Sequence, residues 1–190
     1  MKQIIVLYHS GMGHTAKMAE AVARGAAAVP DTEVKILAIE GKDVMEGRYQ
    51  NDDLLNQLDE SDAIIFGSPT YMGNVSGQFK CFADATSGRW LEQRWAGKIA
   101  AGFTVSGSPS GDKLNTLSYL SILAAQHGMI WVGSNIVPYG DPEGRNQLGS
   151  FLGVMGLAAQ EPPEQAPNQA DKLTGEHLGQ RVAEFLARLV

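Results

Sequence analysis

Short apolar runs alternate with stretches of helical periodicity along this chain. The apolar runs are rich in β-branched residues, and they are QIIVLY (3–8), EVKILAI (33–39), AIIFG (63–67), IAAGFTV (99–105) and MIWVG (129–133). Such runs predict five strands, and the run at 3–8 is short, apolar and β-branched, as is typical of a buried strand. The run at 63–67 is apolar at every position, which is typical of a central strand in a parallel sheet.

Helical periodicity separates these predicted strands. In residues 14–29, Met18, Val22 and Val29 fall on one helical face, and Pro30 ends the pattern. Further helices are predicted at 53–58, at 75–86, near 112–127 and at the C-terminal end, where one stripe holds Leu178, Val182, Phe185, Leu186 and Leu189. Residues 134–170 are rich in Gly and Pro and are predicted to be irregular, with 161–170 as an extended crossing segment.

The alternation of strands and helices predicts one α/β domain over residues 1–190. Five short strands joined by helices form a parallel sheet with helices on both faces, which is a doubly wound fold. A chain of 190 residues suits one domain with a sizeable core, and no internal repeat is visible. We expect the strand order 2-1-3-4-5, which reverses between the first and third strands, and ligands bind at such reversals.

Composition and charge narrow the possible function classes. Apolar residues make up 44% of the chain and charged residues 19%, as in globular proteins. The net charge of −6 disfavours nucleic-acid binding, which needs a basic surface. Cys81 is the single cysteine, which excludes an internal disulfide, and no leader, membrane segment or metal-ligand pattern is visible. We therefore predict a cytoplasmic protein without membrane insertion.

Three Gly-rich loops follow the strands that flank the predicted reversal. HSGMGHT (9–15), SPTYMGN (68–74) and SGSPSGD (106–112) leave strands one, three and four, and each combines glycine with small hydroxyl residues. The loop after strand two lacks this composition. Because the carboxyl ends of parallel strands share one edge of the sheet, the three loops are predicted to form one ligand site.

The first loop is suited to binding a phosphate. Backbone N–H groups and the positive end of the following helix attract anions, and Ser10, His14 and Thr15 add neutral donors. The same loop has the spacing Gly-x-Gly-x-x-Ala over residues 11–16, which fits the dinucleotide fingerprint. Read alone, it is compatible with a dinucleotide pyrophosphate or with the phosphate of a mononucleotide such as FMN.

The rest of the sequence favours the mononucleotide. A dinucleotide site needs an acidic residue after the second strand, and Glu40 is present, although a solvated carboxylate beside Gly41 is the simpler interpretation. The dinucleotide hypothesis also leaves the loop at 68–74 without a role. A nucleoside triphosphate loop is excluded because the chain contains no Gly-Lys-Ser/Thr sequence.

The second and third loops are suited to a flavin ring. Tyr71 and Met72 offer flat or polarisable surface in a turn shaped by Pro69, Gly73 and Asn74. The third loop offers small hydrogen-bonding residues for the ring and ribityl chain, namely Ser106, Gly107, Ser108 and Ser110. Each loop taken singly is also compatible with an ordinary connection, and it is their meeting at one edge of the sheet that favours a flavin site.

With these residues in place, the chain resembles the flavodoxin-like WrbA family of NAD(P)H:quinone oxidoreductases. The resemblance rests on LYHSGMGHTAKMAEAVARGA (7–26), DAIIFGSPTYMGNVSGQFKCFAD (62–84), GKIAAGFTVSGSPSG (97–111) and HGM (127–129). It implies non-covalent FMN, two-electron transfer from NAD(P)H to a small-molecule quinone, and a homo-oligomer, either a dimer or a tetramer.

The resemblance also implies site residues. The FMN phosphate is expected on Ser10, Gly11, Met12, Gly13, His14 and Thr15, and the ring against Pro69, Thr70, Tyr71, Met72, Gly73 and Asn74. Further FMN contacts are expected from Val105, Ser106, Gly107, Ser108, Pro109, Ser110 and Gln126. The substrate is expected to contact Met12, Trp90 and His127.

The chain departs from the family pattern around the expected ring face. Tyr71-Met72 stands where the family usually has Arg-Phe, and Met12 stands where it has an aromatic residue. Gln126-His127 replaces a pair of histidines, and a lone His at a helix end more often caps or packs than binds substrate. An alternative function is therefore a flavodoxin-like FMN-binding electron-transfer module without a productive nicotinamide site.

Overall fold

The computed structural model describes residues 1–189, in which strands and helices alternate. The first half contains β1 (Lys2–Tyr8), α1 (His14–Ala27), β2 (Thr32–Ala38), β3 (Val44–Met45), β4 (Arg48–Tyr49), α2 (Asp52–Glu60), β5 (Ala63–Tyr71), β6 (Asn74–Val75) and α3 (Gly77–Ala85). The second half contains α4 (Ser87–Leu91), β7 (Ile99–Ser106), α5 (Lys113–Gln126), β8 (Ile130–Trp131), β9 (Val154–Leu157) and α6 (Gln169–Ala187).

The main sheet has the predicted strand order. Its path is β2-β1-β5-β7-β8, and every pair along this path is parallel. The predicted order 2-1-3-4-5 is therefore confirmed. β5 lies at the centre of the sheet and is buried from Ala63 to Thr70, as its apolar sequence predicts.

Helices cover both faces of the sheet. Side chains alternate between the two faces along a strand, so Ile4 and Val6 pack with α1 and α6. Ile5 and Leu7 point to the other face and pack with α2, α3 and α5. None of the helices in residues 1–189 is long and apolar enough to cross a membrane.

Two glycines allow α1 and α6 to pack in close contact. A Cβ atom on Gly25 would collide with the backbone carbonyl of Glu176, and one on Gly179 would collide with the carbonyl of Val22. Both positions therefore require glycine for the observed distance between the helices. This close packing fixes α6 over the face of the sheet that α1 also covers.

The fifth strand position is occupied by two separate strands, whereas the sequence predicts one strand at 129–133. β8 pairs only with the start of β7, and β9 pairs with its end, where Phe103 lies opposite Val154. The chain leaves the sheet after β8 and returns at β9, so 132–153 is an insertion. β9 lies in the section 134–170, for which the sequence predicts irregular structure. The prediction is wrong there because β9 is only four residues long and contains a glycine, which weakens its strand pattern. Its return places the chain after Leu157 at the same edge as the three loops.

β5 extends further than the sequence predicts. It ends at Tyr71 and pairs with β7 as far as Pro69, which lies opposite Val105. Met72 and Gly73 then form a two-residue turn with φ angles of 47° and 77°, and β6 pairs back on β5. The predicted loop at 68–74 is thus a strand end and a tight hairpin, which gives its residues fixed positions.

Candidate functional site

A cleft of about 260 Å³ lies at the carboxyl edge of the sheet, where the strand order reverses. It is lined by all three predicted loops, through Ser10, Gly11, Met12, His14, Thr15, Pro69, Thr70, Tyr71, Val105, Ser106 and Gly107. The chain after β9 supplies a fourth wall, through Ala158, Ala159, Gln160 and Glu161. The structure therefore brings together residues from four separate parts of the sequence at the predicted point.

One end of the cleft is formed by the N-terminus of α1. Ser10 Oγ accepts hydrogen bonds from the N–H groups of Gly13 and Ala16, at 3.0 and 3.3 Å, so its own proton stays available for a ligand. Within residues 1–189, no atom accepts a hydrogen bond from the N–H groups of His14 and Thr15. Two free N–H groups, a hydroxyl and the positive helix end make this part of the cleft suited to a phosphate.

Gly13 caps α1 in a conformation that favours glycine. Its φ is 91°, which lies in the left-handed region, and it is the residue immediately before the helix. A Cβ atom on Gly13 would also lie 3.0 Å from the ring of Pro163. The glycine therefore serves both the turn and the close approach of the chain that follows β9.

The segment 158–163 fixes the position of His14. Its imidazole Nε2 lies 2.8 Å from the backbone oxygen of Glu161, and because a carbonyl only accepts, Nε2 carries the proton. The Glu161 carboxylate accepts from the N–H groups of Ala159 and Gln160, at 2.9 and 3.0 Å. Hydrogen bonds from backbone N–H groups, foremost that of Glu161 itself, hold the pKa of this carboxyl below its usual range. Sequence reasoning missed this segment because it missed the strand that precedes it.

The other end of the cleft is formed by the ends of β5 and β7. Thr70 Oγ1 lies 2.7 Å from Thr104 Oγ1 and 2.8 Å from Thr116 Oγ1, and all three side chains are buried. These hydroxyl groups tie β5, β7 and α5 together beneath the cleft. The Thr70 side chain therefore holds the strand end in place, and its hydroxyl group is already engaged within the protein.

Tyr71, Met12 and Met72 surround the opening of the cleft near the ends of β5 and β7. The Tyr71 hydroxyl lies against Gly11, where a Cβ atom would collide with it. Met12 and Met72 are both exposed, and Met72 has a φ of 47°, which is uncommon for a long side chain. The structure thus presents a phenol ring and two thioether groups beside the cleft, all without charge.

A buried lysine lies behind the third loop. The Lys113 side chain is 0% exposed, and its Nζ donates to Ser106 Oγ at 3.0 Å and to the Ser108 oxygen at 2.6 Å. Burial lowers the pKa of this lysine. Lys113 is not among the site residues that the sequence predicts. A lysine in the first turn of a helix is unfavourable for the helix dipole, and this unusual position is the sequence signal that could have pointed to it.

Several predicted site residues lie just outside the cleft. Met72, Gly73 and Asn74 form the hairpin beside it, and Ser108 contacts Lys113 from the loop. Pro109 and Ser110 line a broader neighbouring cleft of about 850 Å³, together with α5 and part of the insertion 132–153. The third predicted loop is thus divided between two surfaces, and only its first part faces the phosphate cleft.

The structure does not bring Trp90, Gln126 or His127 to this cleft. They line a small pocket at the end of α5, whereas the cleft lies at the start of that helix. α5 has 14 residues, so the two places are about 20 Å apart. Within one chain these three residues therefore lie apart from the residues that line the cleft, and their roles as FMN and substrate contacts stay predictions.

His127 is held in the core as a neutral imidazole. Its side chain is 1% exposed, and its ring lies 4.4 Å from that of Trp95, measured between centroids. Thr86 Oγ1 donates to the Ala83 oxygen at 2.7 Å, so His127 Nε2, 2.9 Å away, must donate to Thr86. Nδ1 is left as a buried acceptor without a partner among residues 1–189. Burial lowers the pKa of His127 to about 4.

The sheet order, with a cleft at the point where it reverses, defines a flavodoxin-like protein. Comparison with protein families agrees with this class. The family model described as NADPH-dependent FMN reductase matches residues 3–141, and the chain belongs to this oxidoreductase family.

Similar proteins cover nearly the whole chain. It is 37% identical over 190 residues to Flavodoxin FldP of Pseudomonas aeruginosa (strain UCBPP-PA14), covering 97% of each protein. It is 34% identical over 204 residues to an NAD(P)H dehydrogenase (quinone) of Geotalea uraniireducens (strain Rf4), covering 98% of each. The crystal structure of a WrbA-like flavodoxin from Agrobacterium tumefaciens is 40% identical, with a TM-score of 0.75 and 99% of each chain covered. The resemblance to the WrbA-like family is confirmed, as is FMN as the cofactor of the family.

Proposed function

We propose that this protein binds FMN in the cleft and transfers two electrons from NAD(P)H to quinones. The observation that carries the proposal is the pairing of two free N–H groups at the N-terminus of α1 with an uncharged, flat surface at Tyr71. A phosphate and a flavin ring need these two surfaces in one cleft. Support also comes from the relative named NAD(P)H dehydrogenase (quinone).

The donors at one end of the cleft suit the phosphate of FMN. The N–H groups of His14 and Thr15 would hold the phosphate, and the Ser10 hydroxyl would donate its free proton to it. His14 is held by the carbonyl of Glu161, which fixes its ring at the rim of the phosphate site. Bound FMN supplies the electron-transfer chemistry, and the protein supplies placement and electrostatics.

The mouth of the cleft is suited to planar electron donors and acceptors. Met12 and Met72 are exposed thioether groups, and Tyr71 adds an aromatic face between the loops. Nicotinamide and quinone rings are flat and largely uncharged, so they match a surface that offers dispersion contacts rather than ion pairs. We propose that both substrates contact Met12 at this mouth.

Steady-state turnover tests the proposal. The purified protein is loaded with FMN, and oxidation of NADH and of NADPH is followed with and without benzoquinone. We expect a yellow protein that consumes nicotinamide nucleotide only when the quinone is present. A colourless protein that FMN does not reconstitute would contradict the proposal, as would turnover that is equal with and without quinone.

A second candidate is an electron-transfer module that holds FMN but does not accept electrons from NAD(P)H. The similarity to Flavodoxin FldP and the Tyr71-Met72 pair in place of Arg-Phe favour it. Rapid mixing under anaerobic conditions separates the two candidates. Loss of flavin absorbance with dithionite, but with neither NADH nor NADPH, would establish the module.

We further propose that the chain is a single domain that works as a cytoplasmic homo-oligomer, either a dimer or a tetramer. The single Cys81 supports a reducing compartment. Trp90 is 43% exposed on α4 next to exposed Leu91, and an apolar pair of this kind is suited to a subunit contact. In an oligomer, Trp90 and Gln126 would reach a bound ligand only in a neighbouring subunit's cleft, and the buried His127 would lie behind them. Light scattering that shows a monomer with and without FMN would contradict the oligomer.

A further inference from the structure

Lys113 is fully buried, although lysine is among the residues that are least often buried. Its ammonium group donates to Ser106 Oγ and to the Ser108 oxygen. Among the residues that the structure describes, none forms an ion pair with it. The lysine therefore carries its charge inside the protein with two neutral oxygen atoms as its hydrogen-bond partners.

The surroundings of this charge are unfavourable for stability. An ammonium without a paired carboxylate loses more hydration than two neutral hydrogen bonds restore. Lys113 is also the first residue of α5, where the helix dipole repels a cation. Burial lowers the pKa of Lys113, and the carboxylate of Asp171 opposes this effect. A neutral glutamine would satisfy the same oxygen atoms, so the loop contacts alone do not explain a lysine.

The position of the charge relative to the cleft suggests a use for it. Ser106 and Gly107 line the cleft, so the ammonium lies one side chain behind that wall. The phosphate site is formed by a different loop, at the N-terminus of α1. A mononucleotide with its phosphate there would have the part of the cleft at the ends of β5 and β7 for its ring, and the Lys113 ammonium lies behind the loop that follows β7.

We propose that Lys113 is a positioning residue that favours the reduced form of bound flavin, by keeping a positive charge behind the ring end of the cleft. The proposal rests on the FMN binding that the proposed function contains, and it holds for a quinone reductase and for an electron-transfer module alike.

The charge balance of flavin reduction gives the direction of the effect. Two electrons and one proton enter the ring, so the reduced flavin gains one net negative charge. The electrons come from NAD(P)H in the proposed reaction and from dithionite in the test below. A fixed cation close by stabilises the charged reduced ring more than the neutral oxidised ring, which raises the midpoint potential.

Asp171 provides a charge of opposite sign near the same site. It is 3% exposed and accepts the N–H of Leu157 at 2.9 Å, at the start of the chain that forms the fourth wall of the cleft. Burial raises the pKa of Asp171, and the Leu157 N–H and the Lys113 charge oppose this. Removal of the Asp171 charge should therefore change the flavin potential in the direction opposite to removal of the Lys113 charge.

Midpoint potentials of the FMN-loaded protein test the proposal. They are measured at pH 8 against a reference dye, with dithionite as reductant, for the wild type and for Lys113→Gln, Lys113→Met and Asp171→Asn. We expect both Lys113 variants to shift the redox equilibrium about tenfold toward the oxidised flavin, which is about 30 mV for a two-electron couple. Asp171→Asn should shift the equilibrium toward the reduced flavin.

Dissociation constants separate a charge effect from a structural one. Lys113→Gln keeps a hydrogen-bond donor, so it should bind oxidised FMN almost as tightly as the wild type and bind reduced FMN about tenfold more weakly. Equal weakening of both forms, with an unchanged potential, would overturn the proposal. A shift in the same direction for Lys113→Gln and Asp171→Asn would also overturn it. Should Lys113→Met not fold, Lys113→Gln still decides the question.

The outcome is independent of the natural electron donor. If the FMN-loaded wild type is reduced by dithionite but not by NAD(P)H, the proposed enzyme activity fails, while the potentials still decide the role of Lys113. If NAD(P)H reduces the flavin and the Lys113 variants keep the wild-type potential, the proposed function stands and the Lys113 proposal fails.

Discussion

The Ser10 hydroxyl connects the phosphate end of the cleft to the first helix. Its oxygen accepts from Gly13 and Ala16, and its proton is left for the ligand. One small side chain thus orders the loop and contributes a donor. The same loop uses no lysine or arginine, so the affinity for phosphate depends on correctly placed neutral groups.

Substitution of Ser10 by alanine should weaken FMN binding about 10- to 100-fold, the loss that corresponds to one hydrogen bond to a charged group. Titration of the apoprotein with FMN, followed by quenching of flavin fluorescence, measures it. Riboflavin, which has no phosphate, should bind wild type and Ser10→Ala with nearly equal affinity. Ser118→Ala is the matched control, because Ser118 is a residue of α5 that lines the neighbouring cleft. Equal losses in the two variants would refute the assignment of the phosphate site.

His127 should make the stability of the protein depend on pH. Its pKa is lowered from 6.5 in the unfolded chain to about 4 in the folded chain. Between these pH values the unfolded chain holds a proton on His127 that the folded chain does not. The contribution of His127 to the free energy of unfolding is therefore fully present above pH 6.5 and is lost as pH falls toward 4. The loss amounts to about 3 kcal/mol.

Urea unfolding at a series of pH values measures this loss. His127→Gln keeps a donor for Thr86 but does not titrate, so its stability should fall less steeply over the same range. Burial also lowers the pKa values of His9 and His177. The wild type and His127→Gln share these two histidines, so the difference between the two profiles reports on His127. Parallel pH profiles for the two proteins would mean that His127 is not held neutral.

Among the elements, the contact between α1 and α6 determines how closely these two helices pack over one face of the sheet. Gly25 and Gly179 meet the carbonyl groups of the opposite helix with no space for a Cβ atom. The first turn of α1 lines the cleft through His14 and Thr15, so the position of α1 on α6 also sets the position of that end of the cleft.

Substitution of Gly179 by alanine should destabilise the fold by about 2–3 kcal/mol, because the helices must separate to admit the methyl group. Gly77→Ala is the control, since Gly77 lies in the first turn of α3 with open space around it. This change should leave stability within about 1 kcal/mol of the wild type or raise it slightly. Midpoints of urea unfolding compare the two. Equal midpoints would show that α1 and α6 tolerate a wider spacing.

The elements that the sequence predicts are those with a strong local pattern. β1, β5 and β7 contain long apolar runs, and β2 mixes charged and apolar residues before its apolar end, ILA. Their observed order agrees with the order expected for strands that alternate with helices. The sequence does not predict β9, because its short run VMGL contains a glycine and pairs with a strand far away in sequence. The sequence also does not predict the burial of Lys113. This burial is produced by the packing of the third loop, which no local pattern encodes.

At the scale of the whole molecule, the cleft is assembled from parts that are distant along the chain. Loops after β1, β5, β7 and β9 form its walls, and residues of α5 and α6 hold two of these loops from behind. A ligand that contacts all four walls should therefore stabilise the entire fold, since each wall belongs to a different section of the sheet.

FMN should raise the melting temperature of the apoprotein in proportion to the logarithm of its concentration. At 100 times the dissociation constant, the stabilisation is about 2.7 kcal/mol by mass action. Thermal unfolding monitored by circular dichroism at several FMN concentrations measures it, and a single transition is expected because we propose one domain. Two separate transitions, of which FMN shifts only one, would contradict the single domain.

The most direct test of the central claim is an anaerobic titration of the FMN-loaded protein. NADH or NADPH is added in steps, benzoquinone follows, and flavin absorbance is recorded throughout. We expect one equivalent of nicotinamide nucleotide to remove the absorbance of one bound FMN and one equivalent of quinone to restore it. Flavin that stays oxidised with both nucleotides, yet is reduced by dithionite, would contradict the claim.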